Sequence, residues 1–419
     1  MTKSMVWRGL ICLCLVLWPV FAPALAYSGR VVDAATGLPI SGAWVTLDQT
    51  VVRTDASGQF IISGAAGRIG IRAQGYLRQW IDSVSLAGGK PISLAAFRPK
   101  ALYLSVFGVG SAQLRDSALK LIDDTELNAL VIDVKGDRGT LAYQSTAPIV
   151  REIGSQVAIM IKDPKAFVAS LHDRGIYTIA RIVVFKDTVL ATARPDWAVK
   201  TRSGTVWRDG EGLAWIDPFR REAWDYSIAL AEEAARNGFD EIQFDYVRFP
   251  DASGLVFARP NTQQNRIETI DAFLGAAREQ LIPYNVFVAA DIFGYVCWNG
   301  DDTHIGQDVK SLSEQVDYVS PMLYPSTFQY GIPGCGNPVA YPQDIVYRSL
   351  LEVTNRTGLR SVRFRPWLQA FRDYAFDRRP FAGTQIREEI TAAEEAGTDG
   401  WMLWNPRNLY SRDGLQLKH

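Results

Sequence analysis

Histidine is nearly missing from this chain: three stand in 419 residues, at positions 172, 304 and 419. None falls in an H-x-H or H-E-x-x-H pair, which excludes hydrolases built on histidine-rich metal sites, and neither metal nor other cofactor is expected. The nucleophile elbow G-x-S-x-G, the phosphate loop and the dinucleotide fingerprint are absent too. Neither sign of charge is in excess. The formal net charge is −1, so no global field draws the chain to nucleic acid. Cysteine is sparse, at four. Beyond the first 26 residues no apolar run is long enough for a membrane span.

What is present at the start reads as a secretory signal, residues 1–26. Lys3 and Arg8 supply positive charge, Leu10 to Val20 is a short apolar stretch, and Ala24-Leu25-Ala26 is an A-x-A cleavage site. A mature chain beginning near Tyr27 and a periplasmic or secreted location are expected. Cys12 and Cys14 would leave with the signal. Cys297 and Cys335 remain, and in an oxidising compartment an even pair points to a disulfide between them.

Residues 27–98 read as all-β: short apolar runs (GRVVD, AWVTL, QFIIS) lie between Gly, Asp, Ser and Pro turns. The runs Gly29 to Asp33, Pro39 to Val45 and Thr54 to Phe60 resemble the carboxypeptidase regulatory-like β-sandwich. That resemblance implies a small accessory module. Asp55 and Gly58 suit a tight turn for backbone reasons.

From Pro99 the pattern changes to strands alternating with helical stretches. Eight apolar strands begin near Ala101, Ala129, Ile176, Glu241, Val286, Val316, Phe364 and Gly400. Pro218 to Asn237 reads as a helix, with Asp217 as N-cap and Gly238 as its stop. The fold class is α/β: a (β/α)8 TIM barrel over residues 99–419, preceded by the small all-β sandwich.

The stretch GFDEIQFDYVRFP, Gly238 to Pro250, is the most informative. Alternation puts Glu241, Gln243 and Asp245 on one face and Ile242 and Phe244 on the other, as in a barrel strand covered outside by helices. Barrel enzymes carry their chemistry at the C-terminal strand ends. There the sequence places Asp133 and Lys135 on one face, Arg181, Gln243 and Asp245 with Arg248 just beyond, and Asp291. Ser320, Tyr324, Trp367, Gln369, Trp404 and Asn405 follow. Lys135 and Arg181 either bind substrate or neutralise buried carboxylates. Trp367 and Trp404 either stack on sugars or pack.

Two carboxylates on adjacent strand ends suit glycosidic bond hydrolysis, one protonating the leaving oxygen and the other attacking or activating water. Asp245, with Arg248 and Arg181 near, is expected as nucleophile or base. Asp291, between VAA and IF, is expected as the acid. Two residues after Asp245 stands Val247, so the chitinase motif D-x-x-D-x-D-x-E is broken. Twelve tryptophans and sixteen tyrosines supply surfaces for sugar rings. Trp207, Trp215, Trp298, Tyr324 and Tyr330 are the candidates on upper loops.

GFDEIQFDYVRFP, VIDVKGDRG (Val131 to Gly139), AADIFG (Ala289 to Gly294), VSPMLYPS (Val319 to Ser326) and PWLQAF (Pro366 to Phe371) resemble the DUF4015 family of glycoside hydrolase-like barrels. The resemblance implies a TIM barrel acting on polysaccharide, with Asp133, Asp245 and Asp291 as strand-end acids. The family's second-strand motif often reads V-K-D; here Gly136 separates Lys135 from Asp137. The expected partner is a bacterial envelope or extracellular polysaccharide. A non-catalytic carbohydrate-binding barrel and an interaction protein of the cell envelope are the alternatives.

Overall fold

The computed structural model describes residues 25–156 and 158–418. The expected signal lies outside these residues, apart from Leu25 and Ala26, which open the first strand.

Seven short strands come first: β1 (Leu25–Asp33), β2 (Trp44–Leu47), β3 (Thr50–Arg53), β4 (Gln59–Gly64), β5 (Arg68–Arg72), β6 (Gln79–Asp82) and β7 (Ile92–Leu94). They form two sheets, ordered β4-β1-β7 and β3-β2-β5-β6. Alternation decides the inner face. On β4, Phe60 and Ile62 are buried while Gln59 and Ile61 are exposed. Phe60 and Ile62 meet Val45, Ile69 and Ile71 of the other sheet in one apolar cluster. The Asp55 turn forms as its sequence requires, the carboxylate accepting from the Ser57 and Gln59 amides at 2.9 and 2.8 Å.

The rest is a barrel. Its strands are β8 (Lys100–Leu104), β9 (Ala129–Lys135), β10 (Tyr177–Val183), β12 (Glu241–Asp245), β14 (Phe287–Phe293), β15 (Tyr318–Met322), β16 (Trp367–Gln369) and β17 (Trp401–Trp404). The two-residue strands β11 (Lys200–Thr201) and β13 (Leu255–Val256) pair with each other on the loops. All eight barrel strands pair in parallel and the ring closes from β17 back to β8. This is the expected TIM barrel, preceded by smaller sheets. Ile242 and Phe244 point outward into the core shared with the helices. Ala129, Val131, Ile179 and Ala289 fill the interior. The helix expected from Pro218 starts later, at Trp224–Arg236. Asp217 spends its carboxylate on the Phe219 and Ala258 amides instead of a helical turn.

The sheets close the bottom of the barrel, where the strands begin. Arg78 donates to Asp240 at 3.1 Å and to the carbonyls of Gly238 and Phe239 just before β12. Asn285, before β14, donates to Gln79 O at 3.1 Å. Its side chain lies over Gly70, where an added Cβ would come within 2.6 Å of it. Gly75 N donates to the Tyr318 hydroxyl at 3.0 Å.

The expected disulfide is absent: Cys297 and Cys335 are both free and buried. Cys297 ends a 3-10 turn, Gly294–Cys297, and points into the helix-side core. Cys335 is committed to a tight turn with Ile332. The two loops are joined without a covalent bond. The Tyr295 hydroxyl accepts from Tyr330 N at 2.9 Å and donates to Gly331 O at 3.2 Å. Burial pushes the Cys297 thiol up to about 12, so it is not a thiolate at neutral pH.

Candidate active site

Three carboxyl groups converge on one guanidinium at the C-terminal mouth. Register puts them there: Arg181 pairs with Asp133 on one side and Gln243 on the other, and Val183 pairs with Asp245. Arg181 donates through Nη1 to Asp133 Oδ1 at 2.5 Å. Its Nε donates to Asp245 Oδ2 at 3.1 Å, and Nη2 reaches the same oxygen. Asp291 Oδ2 lies 3.8 Å from Nε. The Tyr103 hydroxyl donates to the other oxygen of Asp133. Trp404 stacks on Tyr103 with centroids 4.0 Å apart and stands 4.9 Å from the guanidinium carbon.

Three acids around one fixed cation cannot all be ionised cheaply in a buried site. Burial, then the charge of Asp245, raise Asp291 well above the usual carboxylate range. One of its oxygens accepts from the Trp367 indole at 2.9 Å, and the other has no hydrogen-bond partner. That is the environment of a neutral carboxyl. Burial, opposed by Arg181, raises Asp133 to about 6. Arg181 is shifted further up by these acids and stays charged.

The strand-end residues split into two groups. Asp133, Arg181, Asp245, Asp291, Trp367 and Trp404 form the cluster, and Tyr324 is buried beside it. Lys135 does not join. A bulge pairs Ile182 with Lys135 directly after Arg181 with Asp133, so Lys135 turns outward. It meets Asp187 at 2.9 Å and the Tyr226 ring and is fully buried. Gln243 sits a layer lower, donating to Ser320 at 3.2 Å. Gln369 ties down Ser326, Asn405 ties the carbonyls of Ala370 and Leu409, and Arg248 lies over Trp215 and Tyr246. Among the loop aromatics, Trp215 is buried and donates to Asp209, Trp298 donates to Ser349, and Tyr330 is exposed.

A cavity of about 260 Å³ opens above the cluster, with Asp133 and Arg181 in its wall beside Asp137 and Arg138. Asp291 lies behind it, its side chain wholly inaccessible. Among the wall residues that escaped the sequence reading, two hydrogen-bond the acids directly. Tyr103 was readable from strand parity, two residues after the inward Ala101. Tyr246 carried no such signal. It follows Asp245 with φ of 48°, a left-handed conformation unusual for an aromatic residue, and its amide donates to Asp245 Oδ1.

A parallel eight-stranded barrel with carboxyl groups gathered at its C-terminal mouth is an arrangement that glycoside hydrolases use. The family known as DUF4015, described as "Putative glycosyl hydrolase domain", matches residues 101–410, and the chain belongs to it. Among solved structures, a hypothetical protein from Ruminiclostridium thermocellum ATCC 27405 is 41% identical over 45% of this chain and 96% of that one, with TM-score 0.41. The glycoside hydrolase domain of PgaB (BpsB) from Bordetella bronchiseptica is 15% identical over 77% of this chain and 100% of its own, with TM-score 0.55, a likeness of fold. No curated protein matches the chain.

Proposed function

We propose that this protein hydrolyses glycosidic bonds of a bacterial envelope or extracellular polysaccharide, in the periplasm or outside the cell. One observation carries the reading: Arg181, in the wall of an open cavity beside Asp133, bridges Asp133 and Asp245, while Asp291, raised well above the usual carboxylate range by burial and the charge of Asp245, lies sealed behind them. Asp245, salt-bridged to Arg181, serves as nucleophile or as base toward water. Asp133 lines the cavity and titrates near neutrality, so it is the group placed to protonate the leaving oxygen. This moves the acid role away from Asp291, whose side chain is sealed from the cavity. By staying neutral, Asp291 keeps a third negative charge off Asp245. The Tyr103–Trp404 pair gives an aromatic face for a sugar ring. The N-terminal sheets we take to be an accessory module of the carboxypeptidase regulatory-like kind, bracing the barrel from below.

The test is release of new reducing ends from a panel of bacterial polysaccharides by the wild type and by Asp245→Asn. The variant is expected to lose about 10³-fold in turnover while keeping its circular dichroism spectrum. A folded Asp245→Asn protein that turns substrate over normally would overturn the assignment.

A further inference from the structure

A second groove adjoins the mouth and has a different character. It encloses about 430 Å³, and Pro406 forms part of both its wall and the wall of the mouth cavity. A file of aromatic rings leads out to it. Tyr324, buried beside the acids, packs edge-on against Phe371 at 5.5 Å, and Phe371 lies nearly parallel to Tyr374, 14° between planes at 6.2 Å. Tyr374 is 45% exposed.

The loop bearing Phe371 and Tyr374 is pinned by one carboxylate. The Asp373 carboxylate accepts from Ser326 Oγ at 2.7 Å and from the amides of Ala375, Phe376 and Arg378. Those bonds, working against its burial, lower its pKa to about 2. Arg378 adopts φ of 64° to let the loop close. Rings fixed in this way lose little freedom on binding a ligand.

The charge on the groove is positive. Both acids of the loop are used internally, Asp373 by the amides and Asp377 by Arg379 at 2.6 Å. Arg372 and Arg407 line the groove without a carboxylate partner among the described residues. Among the described residues, the only side-chain hydrogen bond of Arg372 runs to the Arg378 carbonyl. Guanidinium groups beside an aromatic face match a pyranose that stacks on the ring and carries a carboxylate at its edge.

We infer that this groove is a subsite for a carboxylate-bearing sugar, so that the polysaccharide cleaved at the mouth is an acidic, uronate-containing one. The inference rests on the mouth being the cleavage site. A neutral polymer offers the two arginines hydroxyl acceptors but no carboxylate to pair with.

The test is calorimetric titration of the full chain, at low salt, with a uronate oligomer of about six residues and a neutral glucan oligomer of equal length. The uronate is expected to bind at least tenfold tighter. The preference should shrink as salt rises, and Arg372→Gln with Arg407→Gln together should remove it. Both arginines are surface residues, and circular dichroism checks the fold. Tyr374→Ala should weaken both oligomers. Equal affinity for the neutral oligomer, no binding of either, or an undiminished preference in the double variant would overturn the subsite. Because the readout is binding, its failure differs from failure of the hydrolase reading. Hydrolysis of a neutral polymer without acidic preference sinks only the subsite. Tight uronate binding with no turnover of any uronate polymer sinks only the hydrolase.

Discussion

The barrel holds two arginine-centred clusters, one at each end of its axis, and they differ in access. At the bottom Arg365 pairs with Asp399 at 3.0 Å and with Glu241, which also accepts from Tyr177 at 3.0 Å. The Tyr318 ring covers the guanidinium at 4.1 Å, and Gly75, in the turn between β5 and β6, donates its amide to the Tyr318 hydroxyl. At the top Arg181 holds Asp133 and Asp245 under an open cavity. The side-chain chemistry is nearly the same. What separates a brace from a reaction site is the third acid and the route to solvent. The bottom cluster has two carboxylates to one cation and a protein lid. The top has three, one of them raised well above the usual carboxylate range by burial and the charge of Asp245, and a space that fits part of a sugar.

This contrast can be broken from either end. The largest effect should follow Arg365→Met, which strands Glu241 and Asp399 without water or a cation. About 3–5 kcal/mol of stability should go, read by urea unfolding. Arg181→Met should cost less, since solvent reaches the cavity above its partners, but should abolish turnover. Equal stability losses would mean that access does not separate the clusters. Next, Gly70→Ala should cost about 1–3 kcal/mol by forcing its methyl into Asn285 and lifting the lid. A smaller loss would show that the sheet can shift on the barrel.

Asp291→Asn sharpens the top cluster. A carboxyl raised in the folded state keeps a proton that the unfolded chain releases near 3.9, so wild-type stability falls as pH climbs above that value. The variant lacks this slope. Its melting temperature relative to wild type should rise with pH, and a constant difference would contradict a neutral Asp291. The smallest effect concerns Asp133, raised to about 6 partly by the charge of Asp137. The profile of kcat/KM should fall as pH rises through that value and the proton donor is lost. Asp137→Asn should move the fall to lower pH, and an unmoved limb would separate Asp133 from the proton transfer.

The barrel was legible because each strand is an apolar run between turn residues. Gly238 marked the approach to β12 without any long-range knowledge, while the strand stops at Asp245, short of Pro250. The acids were legible for the same reason: an inward Asp at the end of a buried strand has few bland explanations. Lys135 was placed on the wrong face because parity counting assumes an unbroken ladder, and one bulge inverts it; its pairing with buried Asp187 is the neutralising role the sequence had left open. The disulfide was misread because neighbouring loops do not fix where side chains point. Cys297 faces the core and Tyr295 makes the link. The groove at Phe371 and Tyr374 depends on how Asp373 folds its loop, a set of amide contacts that composition does not encode.

The most direct test of the central claim, that the mouth holds its acids in unequal protonation states, needs no substrate. Infrared difference spectroscopy at neutral pH would compare wild type with Asp291→Asn. We expect the wild type to show a protonated-carboxyl stretch that the variant lacks. A carboxylate stretch lost in its place would mean that Asp291 is ionised beside Asp245, and would contradict the account.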